Sequence, residues 1–295
     1  MKKSLAVIAL AVVAALALAG CAPRSAQADD GRLSVVATTN VYGSIAELIG
    51  GDRIRVTSII DSLAKDPHEY QASARDRLTV RNADLVIENG GGYDPYMQDL
   101  LDGSRAKVIT AADSRPDRHA QDFNEHVWFD PATMITVVRE VQDQLTVLDP
   151  KGEAQYRQGA LDLSMQLQDA ETQLAAIKAK AGGEGVFITE PVPGYLAAAA
   201  GLVDKAPAGF ASAVEEGHDV APSTLLDAVR VVQSHEVVAV LANAQAGGSE
   251  TQRIEQEAKT AGVQVATFTE ILPKDTTYPE WMRAAIGSLA RAVGA

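Results

Sequence analysis

Two histidines and two glutamates of this chain stand where metal chemistry is possible. His126 lies in Asn124-Glu125-His126-Val127-Trp128-Phe129-Asp130-Pro131, ahead of an apolar pair and an Asp-Pro that opens a helix. An Asp at the N-cap is expected to satisfy free backbone N–H groups, and Pro131 is preorganised for the first helical position. That reading fixes His126 at the end of an extended segment, on the lip of a globular unit. His68 has a similar setting in Asp66-Pro67-His68-Glu69-Tyr70, while Glu190 and Glu270 each follow a β-rich run in the second half. Two imidazoles and two carboxylates make a nitrogen/oxygen set suited to Zn²⁺, Mn²⁺ or Fe²⁺, with no thiolate to favour softer ions. Taken singly, each is an ordinary loop residue. Placed just past four strands, the four define a candidate metal site.

The elements that must position them alternate between short β-rich runs and amphipathic segments. Strands are expected over 33–38, 54–60, 84–87 and 107–109, with helices over 41–49, 72–81 and 95–101 between them. Gly50-Gly51 ends the first helix, and the loop carrying His68 hangs from the second strand. A polar loop over 111–124 leads to His126. A helix over 132–148 and a longer one over 152–180 follow, the latter without internal proline. At 1.5 Å per residue the long helix spans roughly 40 Å. Its Leu163, Leu167, Ala170, Leu174 and Ile177 recur at steps of four and three, giving one apolar face. Between two α/β halves, such a helix reads as a strut. The alternation then resumes, with strands over 185–189, 237–241 and 263–268 and helices over 193–200, 222–234, 250–261 and 281–293. Leu226, Val229 and Val232 are expected to face inward. This is an α/β pattern of two lobes with mainly parallel sheets, in which ligands bind beyond the carboxyl ends of the strands. Asn243 and Gln245 follow one of those strands and are candidates to orient a ligand carboxylate. His218 precedes the helix at Pro222 and is a further candidate near the metal. His235 abuts a strand and reads as structural.

The start of the chain reads as an export signal. Lys2 and Lys3 precede an unbroken apolar run, Leu5 to Leu18, which is shorter than the roughly 20 residues of a membrane span. Leu18-Ala19-Gly20-Cys21 resembles the bacterial lipobox, in which the cysteine is lipidated and becomes the new N-terminus. Cys21 is the single cysteine, so no intramolecular disulfide can form, and acylation explains its placement. Residues 22–30 read as a polar tether. Loss of residues 1–20, which hold two lysines and no acid, takes the formal charge from −13 to −15. So acidic a chain is a poor match for nucleic acid. The expected organisation is a signal peptide at 1–20, a tether at 21–32, a first lobe at 33–149, a linking helix at 150–182 and a second lobe at 183–295.

Several of these segments together resemble a known family, the TroA-like solute-binding lipoproteins that deliver zinc or manganese to ABC transporters. The marks are Asp66-Pro67-His68-Glu69-Tyr70, the run from Asn82 to Gly92, His126-Val127-Trp128-Phe129-Asp130-Pro131, Thr189-Glu190 with Gly194-Tyr195, and Phe268-Thr269-Glu270. The resemblance extends from Val35 to the end of the chain. It implies that the family's first and second ligands fall on His68 and His126. The third position, histidine in many zinc members and glutamate in many manganese members, falls on Glu190. The fourth, usually aspartate, falls on Glu270, which departs from the pattern by one methylene. Zinc members often carry a long His-rich loop near the second ligand; here the comparable loop holds only His119.

What the resemblance implies is a monomeric binding protein and not an enzyme. Its cargo would be one divalent transition-metal ion, Zn²⁺ or Mn²⁺, held between lobes that close through small movements. Its partner would be an ABC permease in the cytoplasmic membrane, with the lipid on Cys21 holding the receptor at the outer face or in the periplasm. Capture of a metal chelate such as haem or a siderophore would call for an aromatic-rich cleft, and aromatics make up 5% of the chain. A metallohydrolase would need an open coordination position with a water and a base, and the sequence holds no zincin motif.

Overall fold

The computed structural model describes residues 31–295 apart from Asp66, His68, Glu69 and Ala246. Strands β1 (Leu33–Thr39), β2 (Ile54–Ile60), β3 (Leu85–Glu88) and β4 (Lys107–Thr110) form one sheet in the order β2-β1-β3-β4, all parallel. Their connections are helices α1 (Asn40–Gly50), α2 (Ala74–Arg81) and α3 (Tyr96–Leu101). Two longer helices follow, α4 (Pro131–Leu148) and α5 (Glu153–Ala181). The second sheet holds β5 (Gly185–Ile188), β6 (Val203–Asp204), β7 (Ala239–Asn243) and β8 (Gln264–Phe268) in the order β6-β5-β7-β8, again all parallel. Its helices are α6 (Gly194–Ala199), α7 (Phe210–Glu215), α8 (Pro222–Gln233), α9 (Ser249–Ala261) and α10 (Tyr278–Ala292). The two sheets thus share one strand order without a visible sequence repeat. In each, the order reverses beside the first strand, which opens a crevice at the carboxyl ends.

The strut expected from sequence is α5, 29 residues long. The predicted stripe Leu163, Leu167, Ala170, Leu174 and Ile177 is buried along it. This stripe belongs to one apolar cluster that also contains Val35, Ile45 and Leu85 from the first sheet region and Val186, Leu241 and Phe268 from the second. The largest apolar cluster therefore runs through both lobes along α5, beside a smaller cluster in each lobe. Gly159 lets α1 approach the strut: a Cβ there would lie 2.6 Å from the Leu48 carbonyl oxygen and 2.8 Å from Ile49 Cα.

Polar contacts reinforce that frame. The Asn40 side chain donates to the Leu272 carbonyl and accepts from the Leu272 N–H, both at 2.9 Å. The Tyr278 N–H donates to Ser44 Oγ at 3.0 Å, and the Tyr278 hydroxyl donates to the Trp128 carbonyl at 2.7 Å. At the turn between α4 and α5, Asp149 accepts from Tyr156 Oη at 2.8 Å and from Arg53 Nε at 2.7 Å.

Two expectations are corrected and two short elements are added. Leu226 is 52% exposed; in α8 the buried residues are Ala228 and Val232, with Leu225 partly buried against them. The inward face thus takes Leu225 in place of its neighbour, packed on the cluster that holds Phe187, Val240 and Ile254. Asp130 occupies the N-cap of α4 without a side-chain cap bond; its carboxylate instead accepts from Arg115 and Thr133. The short β6 and α7 were absent from the sequence reading, being too short to show a period.

Tyr156 and Arg53 hold the Asp149 carboxyl below its ordinary value by hydrogen bonding and ion pairing. A carboxylate whose folded pKa is depressed adds stability above its unfolded pKa of about 4, and that stability fades as pH falls through the folded value. Asp149→Asn is therefore expected to lower the melting temperature by about 2–4 °C at pH 7. The gap between variant and parent should narrow toward pH 3, as measured by thermal unfolding monitored by circular dichroism.

Candidate metal centre

The second sheet builds one wall of the cleft. Glu190 lies just past β5 and Glu270 just past β8, while Asn243 ends β7, the strand between them. Topology alone thus sets an amide between two carboxylates. Asn243 Nδ2 donates to Glu190 Oε2 at 2.8 Å and to Glu270 Oε1 at 2.7 Å. Both glutamates are fully buried and Asn243 nearly so. Across the cleft, the Tyr93 hydroxyl donates to Glu270 Oε2 at 3.0 Å. Burial, followed by the charge of Glu270, raises the Tyr93 hydroxyl well above its ordinary pKa, so it is a donor throughout the neutral range. Gln245 acts one step back: its Oε1 accepts from the backbone N–H of Glu270 at 2.7 Å and of Ile271 at 3.2 Å. Gln245 thus holds the main chain of Glu270 and not its carboxylate.

The first lobe brings His126. It is fully buried, not on a lip, and it directly precedes a one-turn helix, Val127–Phe129, instead of ending a strand. The polar loop from β4 is stabilised by side chains and not by a sheet. Arg115 pairs with Asp130 and Asp117, both at 2.6 Å, and stacks over the Tyr195 ring at 4.5 Å. Trp128 packs on the imidazole with ring centroids 5.1 Å apart, and Tyr93 packs on Trp128 at 4.7 Å. Asn89, at the end of β3, accepts from the Tyr42 hydroxyl and donates to the Glu125 carbonyl at 3.0 Å.

Two carboxylates that sequence reading did not single out join this group. Among the described residues, Glu125, His126 and Glu215 place ligand atoms within 4.8 Å of one another. Glu215 Oε1 stands 3.8 Å from His126 Nδ1. Burial, then the charges of Glu125, Glu190 and Glu270, push the Glu215 carboxyl up to about 8. The field in this cleft therefore opposes added negative charge and favours a cation. Glu125, Glu215, Glu216, His218, Asp219 and Glu250 face a cavity of about 850 Å³ that continues outward from these groups. His218 lies on that rim, exposed, with Nδ1 at 3.1 Å from Glu216. His235 is exposed in a turn with φ of 60°. His68 and Cys21 lie outside the described residues.

Two parallel-sheet lobes on one strut, with an imidazole and buried carboxylates gathered between them, define a bilobal α/β fold with a candidate cation site. The chain belongs to the family described as zinc-uptake complex component A, periplasmic, whose profile matches residues 35–292. It is 31% identical over 170 residues to the manganese-binding lipoprotein MntA of Bacillus subtilis, covering 55% of this chain and 55% of that one. It is 26% identical over 225 residues to the zinc-binding lipoprotein AdcA of Streptococcus pneumoniae, covering 70% of this chain and 44% of that one. The chain thus spans about half the length of these curated relatives. Among solved structures, the periplasmic zinc-binding protein TroA from Treponema pallidum matches with a TM-score of 0.75 and 18% identity, over 89% of this chain and 99% of that one. The manganese-bound periplasmic metal-binding protein from Candidatus Liberibacter asiaticus matches with a TM-score of 0.71 and 18% identity, over 89% and 100%. At such identities the structural likeness is one of fold.

Asn243 is the shared donor of two buried carboxylates, so its removal leaves charge without that compensation. Asn243→Ala is expected to destabilise the metal-free protein by about 2–3 kcal/mol. Chemical denaturation of the metal-free form measures this, and an unchanged midpoint would show that the amide carries no such role.

Proposed function

We propose that this protein is an extracytoplasmic receptor that captures one divalent transition-metal ion, Zn²⁺ or Mn²⁺, and delivers it to an ABC permease for import. The observation that carries this reading is the pair of fully buried carboxylates, Glu190 and Glu270, tied together by Asn243. His126, Glu190 and Glu270 are the proposed ligands, and His68 is the fourth on the strength of its sequence motif. Two imidazole nitrogens and two carboxylates can close a coordination sphere from protein groups alone, which suits capture and release better than catalysis. Glu270, a residue longer than the family's usual aspartate, reaches its position with Tyr93 and Asn243 on its two oxygens. Family membership and relatives named as manganese- or zinc-binding lipoproteins support the cargo and the transport role.

The same reading covers the ends of the assembly. Residues 1–20 act as a signal peptide and Cys21 carries the lipid, with 21–32 as a tether to the outer face of the membrane. The lobes occupy 33–149 and 183–295, joined by the helix of 150–182, and the protein works as a monomer. No helix among the described residues is long and apolar enough to cross a membrane. The acidic rim of the cleft, Glu216, Asp219 and Glu250, raises the local cation concentration within the roughly 8–10 Å over which salt leaves charge unscreened.

Competitive titration with Zn²⁺ and Mn²⁺ on residues 22–295, with metal content read by mass spectrometry, tests this. One tightly bound ion per chain is expected, with binding lost in His126→Ala and in Glu190→Ala. Absence of a stoichiometric ion, or parent-like binding in both variants, would contradict the reading. Affinity is also expected to fall below about pH 6, because an imidazole must be neutral to coordinate. Constant affinity from pH 7 to 5 would count against histidine ligation.

A further inference from the structure

Asn124 has no role in the reading above, yet it touches both lobes beside two of the proposed ligands. Its Oδ1 accepts from the His126 backbone N–H at 3.0 Å and lies 2.7 Å from His126 Nδ1. Its Nδ2 donates to the carbonyl of Pro191, the residue after Glu190, at 2.9 Å. Its own carbonyl accepts from the Tyr195 hydroxyl at 2.6 Å. The orientation of this amide follows from its partners. A backbone N–H can only donate and a proline carbonyl can only accept, so Oδ1 must face His126 and Nδ2 must face Pro191. The same Oδ1 then requires a hydrogen on Nδ1, and a neutral imidazole carrying its hydrogen there has its lone pair on Nε2.

We infer that Asn124 is a positioning residue that couples the two lobes to the metal: it selects the Nδ1–H tautomer of His126 and fixes that ring against the strand end bearing Glu190. This rests on the proposed metal-binding function. The close approach is built into the sequence at a second point, because a Cβ on Gly194 would lie 2.8 Å from Asn124 Nδ2. A glycine at the start of α6 is thus what lets the amide reach Pro191. Tyr195, held over Arg115, supports the backbone of the same residue from the second lobe. His126 and Glu190 come from different lobes, and Asn124 sets their separation before any cation arrives.

The test combines nitrogen-15 NMR of histidine-labelled, metal-free protein with Zn²⁺ titration. The chain has five histidines, and the His126 signals are assigned by their loss in His126→Gln. The parent is expected to show His126 as the Nδ1–H tautomer. Asn124→Ala should lose that preference and weaken Zn²⁺ binding by about 10–100-fold. Asn124→Asp keeps the acceptor but not the donor, so it should retain the tautomer. Gly194→Ala, with the amide intact, should weaken binding through crowding. An Nε2–H tautomer in the parent, or parent-like affinity in a folded Asn124→Ala, would overturn the inference while parent binding stands. Full affinity in Gly194→Ala would overturn its cross-lobe half. A parent that binds no Zn²⁺ overturns the proposed function, and the inference with it.

Discussion

Burying carboxylates side by side is the constraint on which the rest of this structure turns. Glu190 and Glu270 are removed from water, and Glu125 and Glu215 crowd the same cleft. Desolvation and mutual repulsion both oppose such charges, and the upward shift at Glu215 is their direct sign. Neutral donors, Asn243 and Tyr93, hold the two innermost carboxylates. A dication supplies what neutral donors cannot, an opposite charge at the centre of the group. A bare arrangement of this kind is destabilised, and a bound cation would relieve it.

Holding that arrangement requires stiffness, and the architecture supplies it. The strand order places Asn243 between the two glutamates without any special loop. The 29-residue helix α5 is buried along one face in an apolar cluster that both lobes contribute to, which ties them together beside the smaller clusters of each lobe. Asn40 with Leu272, Ser44 with Tyr278, and Trp128 with Tyr278 add polar ties across the same boundary. Wide hinge opening would break all of these together. Under the proposed function, release of an ion would therefore rest on local movement of the segments around the cleft.

Much of this was legible in the sequence, for reasons that can be traced to particular residues. The apolar step pattern of Leu163 to Ile177 fixed the strut, because a one-sided stripe over many turns has one stable use. The β-rich runs before Glu190 and Glu270 placed them at strand ends, where parallel sheets present ligands. Local patterns failed where tertiary contacts decide. Asp130 reads as a helix cap, but the nearby Arg115 guanidinium is a stronger partner for its carboxylate than backbone N–H groups. His126 follows no strand, and its loop is ordered by Arg115, Tyr195 and Asn124 in place of sheet bonds. Glu215 sits in a six-residue helix with no periodic signal, so only the folded chain brings it beside His126. Leu225 and Leu226 are adjacent and chemically alike; which one turns inward is decided by the apolar cluster they meet in the folded chain.

The most direct test of the account is X-ray absorption at the metal edge of the Zn²⁺-loaded protein. The ligand set predicts a shell of nitrogen and oxygen only, at about 2.0–2.2 Å, with the multiple-scattering signature of two imidazoles and no sulfur. Loss of one imidazole contribution in His126→Ala would place that side chain on the ion. A spectrum with no imidazole scattering, or one unchanged by the substitution, would contradict the claim that the ion sits between His126 and the paired carboxylates.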